Sequence, residues 1–76
     1  MNKCRRKEIK IIIDRLHEVR EDLEPIRDEE TEYRDGIPEN LQTSEKYERA
    51  DEAVCALDNA VDSFDEIISY LESAME

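Results

Sequence analysis

The stretch YERADEAVCALDNAVDSFDEIISYLESAM, residues 47–75, decides the fold. Its apolar residues recur at alternating intervals of three and four, in the order Tyr47, Ala50, Val54, Leu57, Val61, Phe64, Ile68, Leu71 and Met75. This heptad spacing places one apolar stripe along an α-helix, whereas a strand would show a period of two. We therefore predict a helix over about residues 45–75.

A similar row of apolar residues occupies the first half of the chain. It contains Ile9, Ile12, Leu16, Val19, Leu23, Ile26 and Tyr33, and Glu30 is its one polar member. The row predicts a helix over about residues 3–34. Because proline lacks the amide that a helix interior needs, we expect this helix to be kinked near Pro25 rather than broken.

The segment between the two rows carries the signals of a short connection, at about residues 35–44. Gly36 can take the left-handed conformation that ends many helices, and Pro38 prevents the helix from continuing. Thr43 or Ser44 then caps the second helix. A connection this short makes the two helices antiparallel neighbours.

Charged residues beside the two rows predict the register of the hairpin. Three arginines in the first helix match three aspartates in the second, and the residue numbers of each pair add to 85: Arg20 with Asp65, Arg27 with Asp58, and Arg34 with Asp51. The apolar layers then predicted are Leu16–Leu71, Val19–Ile68, Leu23–Phe64, Ile26–Val61 and Tyr33–Val54. The fold class predicted is all-α, a single antiparallel two-helix hairpin over residues 1–76, resembling a coiled coil.

The apolar surface of the second helix is wider than one partner helix can cover. Small and apolar residues follow its outer flank, namely Ala53, Ala60, Ile67 and Ala74, and Met75 ends the row beside them. A 76-residue chain has a thin core, so we expect these residues to form an oligomer interface that pairs hairpins into a four-helix bundle. The alternative is a lone hairpin with an exposed flank.

The net charge of −11 is unevenly distributed. A basic patch lies at the N-terminus, comprising Lys3, Arg5, Arg6, Lys7 and Lys10, and either the acidic tail with Glu72 and Glu76 or an anionic partner could neutralise it. Elsewhere acidic residues dominate, so direct binding to nucleic acid is not expected. A candidate acidic binding face comprises Asp14, Glu21, Asp28, Glu52 and Glu66, and it could mimic the phosphates of DNA or simply be solvated.

No arrangement of residues indicates catalysis, so we predict no enzyme activity, no catalytic residues, no metal site and no cofactor. Asp14 and His17 lack the second carboxylate–histidine pair that a helical di-metal site needs. Cys4 and Cys55 lie roughly 40 Å apart in the predicted hairpin, too far for a disulfide. Glu30 is expected to reach water or to pair with Lys46 or Arg49. No apolar run reaches membrane-spanning length, and a cytoplasmic location is expected.

The segment IPENLQTSEKYE, residues 37–48, carries a resemblance to other proteins. With EETEY before it, at 29–33, and AVCALDNA after it, at 53–60, it resembles a recurrent segment in small uncharacterised helical phage and prophage proteins of Gram-positive bacteria. The resemblance covers about residues 21–74 and is most specific at the Pro-Glu-x-Leu-Gln-x-Ser turn, residues 38–44.

The resemblance implies a phage-type accessory protein in the host cytoplasm. Such a protein would act by stoichiometric binding, inhibiting or sequestering a host protein or small molecule, plausibly a defence factor. The alternatives are a DNA mimic that blocks a nucleic-acid-binding protein, or a purely structural or assembly module.

Overall fold

A computed structural model describes all 76 residues, and it shows two long helices that form an antiparallel hairpin. Helix α1 spans Lys3–Asp35, and helix α2 spans Glu45–Ala74. The connection between them contains one turn of 3₁₀ helix, Glu39–Leu41. The hairpin measures 59 × 16 × 13 Å. The prediction of an all-α helical hairpin is confirmed.

Helix α1 begins at a capping residue and continues through its proline. The Asn2 side chain accepts a hydrogen bond from the amide of Arg5 at 2.8 Å, which satisfies one of the free amides of the first turn. Pro25 lies inside the helix with its ring exposed, and the helix is not interrupted there. The carbonyl of Glu21, four residues earlier, therefore has no helical amide to bind.

The prediction of a left-handed Gly36 is wrong. Gly36 has φ −79° and ψ −7°, which is a right-handed conformation, and its amide donates to the carbonyl of Glu32 at 2.9 Å. The next amide, of Ile37, donates to the carbonyl of Arg34 at 3.2 Å, and the Ile37 side chain is buried. The chain thus leaves α1 by a tightened last turn that places an apolar residue in the core.

Of the two predicted caps for α2, the structure uses Ser44. Its hydroxyl oxygen accepts a hydrogen bond from the amide of Tyr47 at 3.3 Å and donates its own hydrogen to the carbonyl of Leu41. Thr43 lies one residue outside the cap position. The serine therefore joins the end of the 3₁₀ turn to the start of α2.

Helix α2 faces α1 with the row that its sequence predicts. Its buried residues are Ala50, Val54, Val61 and Ile68, and the intervening Leu57, Phe64 and Leu71 are half-buried. Val61 is the most deeply buried side chain of the hairpin, at 2% exposure. No side chain is fully enclosed, and only 6 of the 76 residues are buried, so the core of the isolated hairpin is thin.

Helix α1 faces α2 with only part of the predicted row, and residues of the arginine row take the place of the rest. Ile13 is its one buried residue, and Ile9, Leu16 and Leu23 are half-buried. Val19, Ile26 and Tyr33 are 51%, 55% and 46% exposed, so the prediction that they pack against Ile68, Val61 and Val54 is wrong. Relative to the predicted arrangement, α1 is turned about its own axis by roughly 50°, half the angular step between consecutive residues.

The arginines of α1 explain this rotation. Arg20, Arg27 and Arg34 follow the same row as Ile13, and their side chains are only 26%, 27% and 22% exposed. The aliphatic part of an arginine covers apolar surface while its guanidinium group reaches water or a carboxylate. Turning α1 toward α2 by this row packs the arginine stems between the helices and lets their charged ends reach the aspartates of α2.

Candidate functional site

The rotation of α1 leaves a row of large apolar side chains outside the core. Ile12 is 46% exposed, and it continues the line of Val19, Ile26 and Tyr33 at intervals of seven residues. At 1.5 Å of rise per residue the row is about 30 Å long. Four large exposed apolar residues aligned along one side of a helix are a candidate interaction surface.

The same side of the hairpin carries the predicted oligomer-interface row of α2. The ammonium group of Lys46, which precedes Ala53 by seven residues in this row, lies 5.6 Å from the centre of the Tyr33 ring. Since Tyr33 belongs to the exposed row of α1, the two rows flank the same groove. We call these two rows together the apolar face, consisting of Ile12, Val19, Ile26 and Tyr33 of α1 with Ala53, Ala60, Ile67 and Ala74 of α2.

Along α2 the apolar face is partly recessed toward the groove. Ala53 and Ala60 are half-buried, whereas Ile67 and Ala74 are exposed. Met75, also predicted in the interface, is half-buried at the end of α2. The α2 row was predicted from its apolar residues, whereas the exposure of the α1 row was not predicted. The missed signal is the arginine row, whose long apolar stems compete with Val19 and Ile26 for contact with α2.

The opposite side of the hairpin carries the three predicted ion pairs, and we call it the ion-pair side. The structure brings all three together: the closest nitrogen–oxygen distances are 2.9 Å for Arg20–Asp65, 3.6 Å for Arg27–Asp58 and 2.9 Å for Arg34–Asp51. Tyr33 and Arg34 are adjacent in α1, yet the first reaches Lys46 and the second reaches Asp51. The boundary between the two sides of the hairpin therefore runs between these neighbours.

Each arginine also contacts a carboxylate of its own helix. Arg20 pairs with Glu24, Arg27 with Asp28 at 3.2 Å and Arg34 with Asp35 at 3.1 Å. Hydrogen bonding to Asp65 raises the pKa of Arg20 above its ordinary value. Hydrogen bonding to Asp35, and then to Asp51, raises the pKa of Arg34 in the same way. These guanidinium groups keep their charge at any pH at which the protein folds.

The candidate acidic face is exposed but only partly free of counter-charges. All five residues, Asp14, Glu21, Asp28, Glu52 and Glu66, are exposed. Asp28 is bound by Arg27, and the other four make no ion pair. The arginine row therefore neutralises one member of this face, together with the three aspartates across the seam.

The basic N-terminal patch lies at the open end of the hairpin. Lys3, Arg5, Arg6, Lys7 and Lys10 are all exposed, and none of them makes an ion pair. Glu72 and Glu76 also form no ion pair, so neither of them binds a side chain of the patch directly. The patch is held in position by the start of α1.

Glu30 lies half-buried at the loop end of the apolar face and makes no ion pair. It lines an open depression of about 370 Å³ together with Tyr33, Lys46 and Arg49. Arg49 pairs within α2 with Glu45 instead. Lys46 and Arg49, the two cationic partners predicted for Glu30, therefore line the same depression without forming an ion pair with it.

The remaining candidates for chemistry are dispersed. Cys4 and Cys55 are free and exposed, His17 is exposed, and no group of three or more His, Cys, Asp or Glu side chains is placed to hold a metal ion. Neither helix has a segment that is both long and apolar enough to span a membrane. Comparison with protein-family models, with curated proteins and with solved structures gives no match for this chain.

Proposed function

We propose that this protein acts by stoichiometric binding to another protein and that the apolar face is the contact surface. The observation that carries this proposal is the exposed row Ile12, Val19, Ile26 and Tyr33. Burying an apolar side chain that is half-exposed gains free energy without any change in the fold, because the row is already presented by a rigid helix.

The composition of the face supports a helical binding partner. Large side chains on α1 stand beside small ones on α2, chiefly Ala53 and Ala60, so the face has a ridge and an adjoining shallow groove. A helix of the partner can enter such a groove with its own apolar stripe, as amphipathic helices do in other recognition surfaces. The resemblance to phage and prophage proteins favours a target in a bacterial host, and the proposed target is a component of a defence system that binding would inhibit or sequester.

Two adjacent isoleucines provide a matched test of this proposal. Ile12 and Ile11 are 46% and 48% exposed, but only Ile12 belongs to the apolar face. The wild type, Ile12→Asp and Ile11→Asp would each be used to capture proteins from a lysate of a Gram-positive bacterium. We expect a target that the wild type and Ile11→Asp retain and Ile12→Asp loses. Equal capture by both variants would contradict the proposal.

Mimicry of DNA is the second candidate, and the exposure of Asp14, Glu21, Glu52 and Glu66 without ion pairs favours it. Binding through these carboxylates should weaken steeply between low and physiological salt, because exposed charges are screened beyond about 8 Å at 0.15 M. Reversing the charge of Asp14 and Glu21 together would abolish such binding. The same double reversal should leave binding through the apolar face unchanged.

A further inference from the structure

We infer that the apolar face is covered by a second copy of this chain, related by a two-fold axis perpendicular to the helices. This inference rests on the proposed function, because the second copy would occupy the same apolar face. In the arrangement, α1 packs antiparallel against α1 of the second copy, α2 packs antiparallel against α2 of the second copy, and the two hairpins form a four-helix bundle with their loops at opposite ends.

The two hairpins would make contact along one whole side, with the apolar face at its centre. The face is about 30 Å long on a hairpin 16 Å wide, about 500 Å², and the charged ends of the 59 Å side extend the contact beyond it. Specific protein–protein interfaces bury about 800 Å² on each partner. A second hairpin would also enclose the half-buried layers of a core in which no side chain is now fully enclosed. Two thin cores then become one core of bundle dimensions.

The spacing of the apolar rows fits a single two-fold axis. With the axis between Asp22 and Leu23, Ile12 meets Tyr33 of the second copy, and Val19 meets Ile26 of the second copy. On α2 the corresponding layers are Ala60 with Ile67 and Ala53 with Ala74, and they are centred between residues 63 and 64.

The ion pairs decide whether these two centres lie at the same height in the hairpin. Paired residue numbers add to 85, which places the midpoint of the α1 row level with residues 62–63 of α2. The α2 row is centred one residue away, roughly 1.5 Å of helical rise. One axis therefore passes through the middle of both rows.

Charge selects the perpendicular axis over one parallel to the helices. A parallel axis would also bring the apolar rows into register, with Val19 against Ile67 and Ile26 against Ala60 of the second copy. It would place the two loop ends side by side, however, and residues 28–49 carry eight acidic and three basic residues, net −5.

The perpendicular axis instead places each loop end beside the open end of the other copy. Residues 1–10 and 66–76, which form the open end, carry five basic and four acidic residues, net +1. Within the α1–α1 contact, Arg15 of each copy also comes within one residue, about 1.5 Å, of the height of Glu29 of the other. Along α1, residues 1–10, net +4, come level with residues 35–44 of the second copy, net −2. Opposite charges therefore approach along α1, which favours this orientation over the parallel one.

Cysteine cross-linking tests both the occupant and its orientation. On a Cys4→Ser/Cys55→Ser background, Val19→Cys/Ile26→Cys should oxidise to a covalent dimer of about 18 kDa, twice the chain mass of 9.0 kDa. The two new thiols cannot bridge within one chain, because seven residues of helix separate them by about 10.5 Å. A mixture of the single variants Val19→Cys and Ile67→Cys on the same background, in which no chain carries both thiols, should not cross-link between copies.

Light scattering on the unmodified wild type accompanies the cross-linking, and the expected mass is about twice 9.0 kDa at high micromolar concentration. A wild-type mass of 9.0 kDa would overturn the inference. Cross-linking in the mixture of Val19→Cys and Ile67→Cys instead would overturn the perpendicular axis. If the wild type is a monomer and Ile12→Asp still loses the captured target, the inference fails but the proposed function stands. If the wild type cross-links as a dimer and Ile12→Asp captures the target as well as the wild type does, the second copy is supported and the proposed function is contradicted.

Discussion

Two valines provide the sharpest test of which row of α1 faces α2. Val61 is 2% exposed and Val19 is 51% exposed, although the heptad pattern assigns both of them to the core. We would replace each by alanine in the Ile12→Asp variant, which removes any contribution from a second copy. Val19 lies about 10.5 Å along the helix from residue 12, far enough for the effects of the two substitutions to be nearly additive.

The expected magnitudes follow from burial and helix propensity. Valine to alanine removes the equivalent of two methylene groups, about 1.6 kcal/mol of transfer free energy when the side chain is fully buried, and the cavity adds to this loss at Val61. At Val19 about half of that transfer term applies, and no cavity forms. Alanine favours the helix over valine by about 0.5 kcal/mol at both positions. The net loss is then about 1.5–2.5 kcal/mol for Val61→Ala and under about 0.5 kcal/mol for Val19→Ala.

Urea unfolding followed by circular dichroism at 222 nm measures both free energies. The slope with urea should be the same in the two variants, which would show that only stability has changed. Losses of similar size at the two positions would refute the observed rotation of α1 and restore the packing that the heptad pattern predicts.

Three further experiments test the seam between the helices, the cap of α2 and the end of α1. A double-mutant cycle on Arg34 and Asp51, measured by urea unfolding, should give a coupling free energy of about 0.5 kcal/mol, because Asp51 is about half exposed. The coupling should shrink in 1 M salt, and no coupling at low salt would count against the ion pair. Ser44→Ala should cost about 1 kcal/mol and Thr43→Ala much less, since only Ser44 bonds the amide of Tyr47; the reverse order would assign the cap to Thr43. Gly36→Ala should change the unfolding free energy by less than about 1 kcal/mol, because Gly36 is right-handed and the added carbon would lie 3.2 Å from the carbonyl of Glu32; a larger loss would indicate a left-handed glycine.

Heptad spacing and matching charges were sufficient to predict the hairpin and the pairing of the three arginines with three aspartates. Both signals are regular along the chain, and each depends on local geometry that a helix repeats every seven residues. The row of α2 that faces the core followed directly, because no long polar side chain competes with Val54, Val61 or Ile68 for that position.

The α1 half of the apolar face could not be found in this way. A heptad pattern shows which residues are apolar, but the rotation of a helix depends on the total surface that each rotation buries. The stems of Arg20, Arg27 and Arg34 contribute to that surface although their residue type is polar. The prediction for Gly36 was wrong for a related reason. Burial of the Ile37 side chain favours a right-handed conformation of Gly36 at the end of α1.

The dimer inferred for this chain forms through one side of the hairpin, and only that side. Sedimentation equilibrium of the wild type, Ile12→Asp and Ile11→Asp at matched high micromolar concentrations measures whether it does. We predict about twice the chain mass of 9.0 kDa for the wild type and for Ile11→Asp, and a single chain for Ile12→Asp. Equal masses for the two aspartate variants, or a wild type that sediments as a single chain, would contradict a dimer formed through the apolar face.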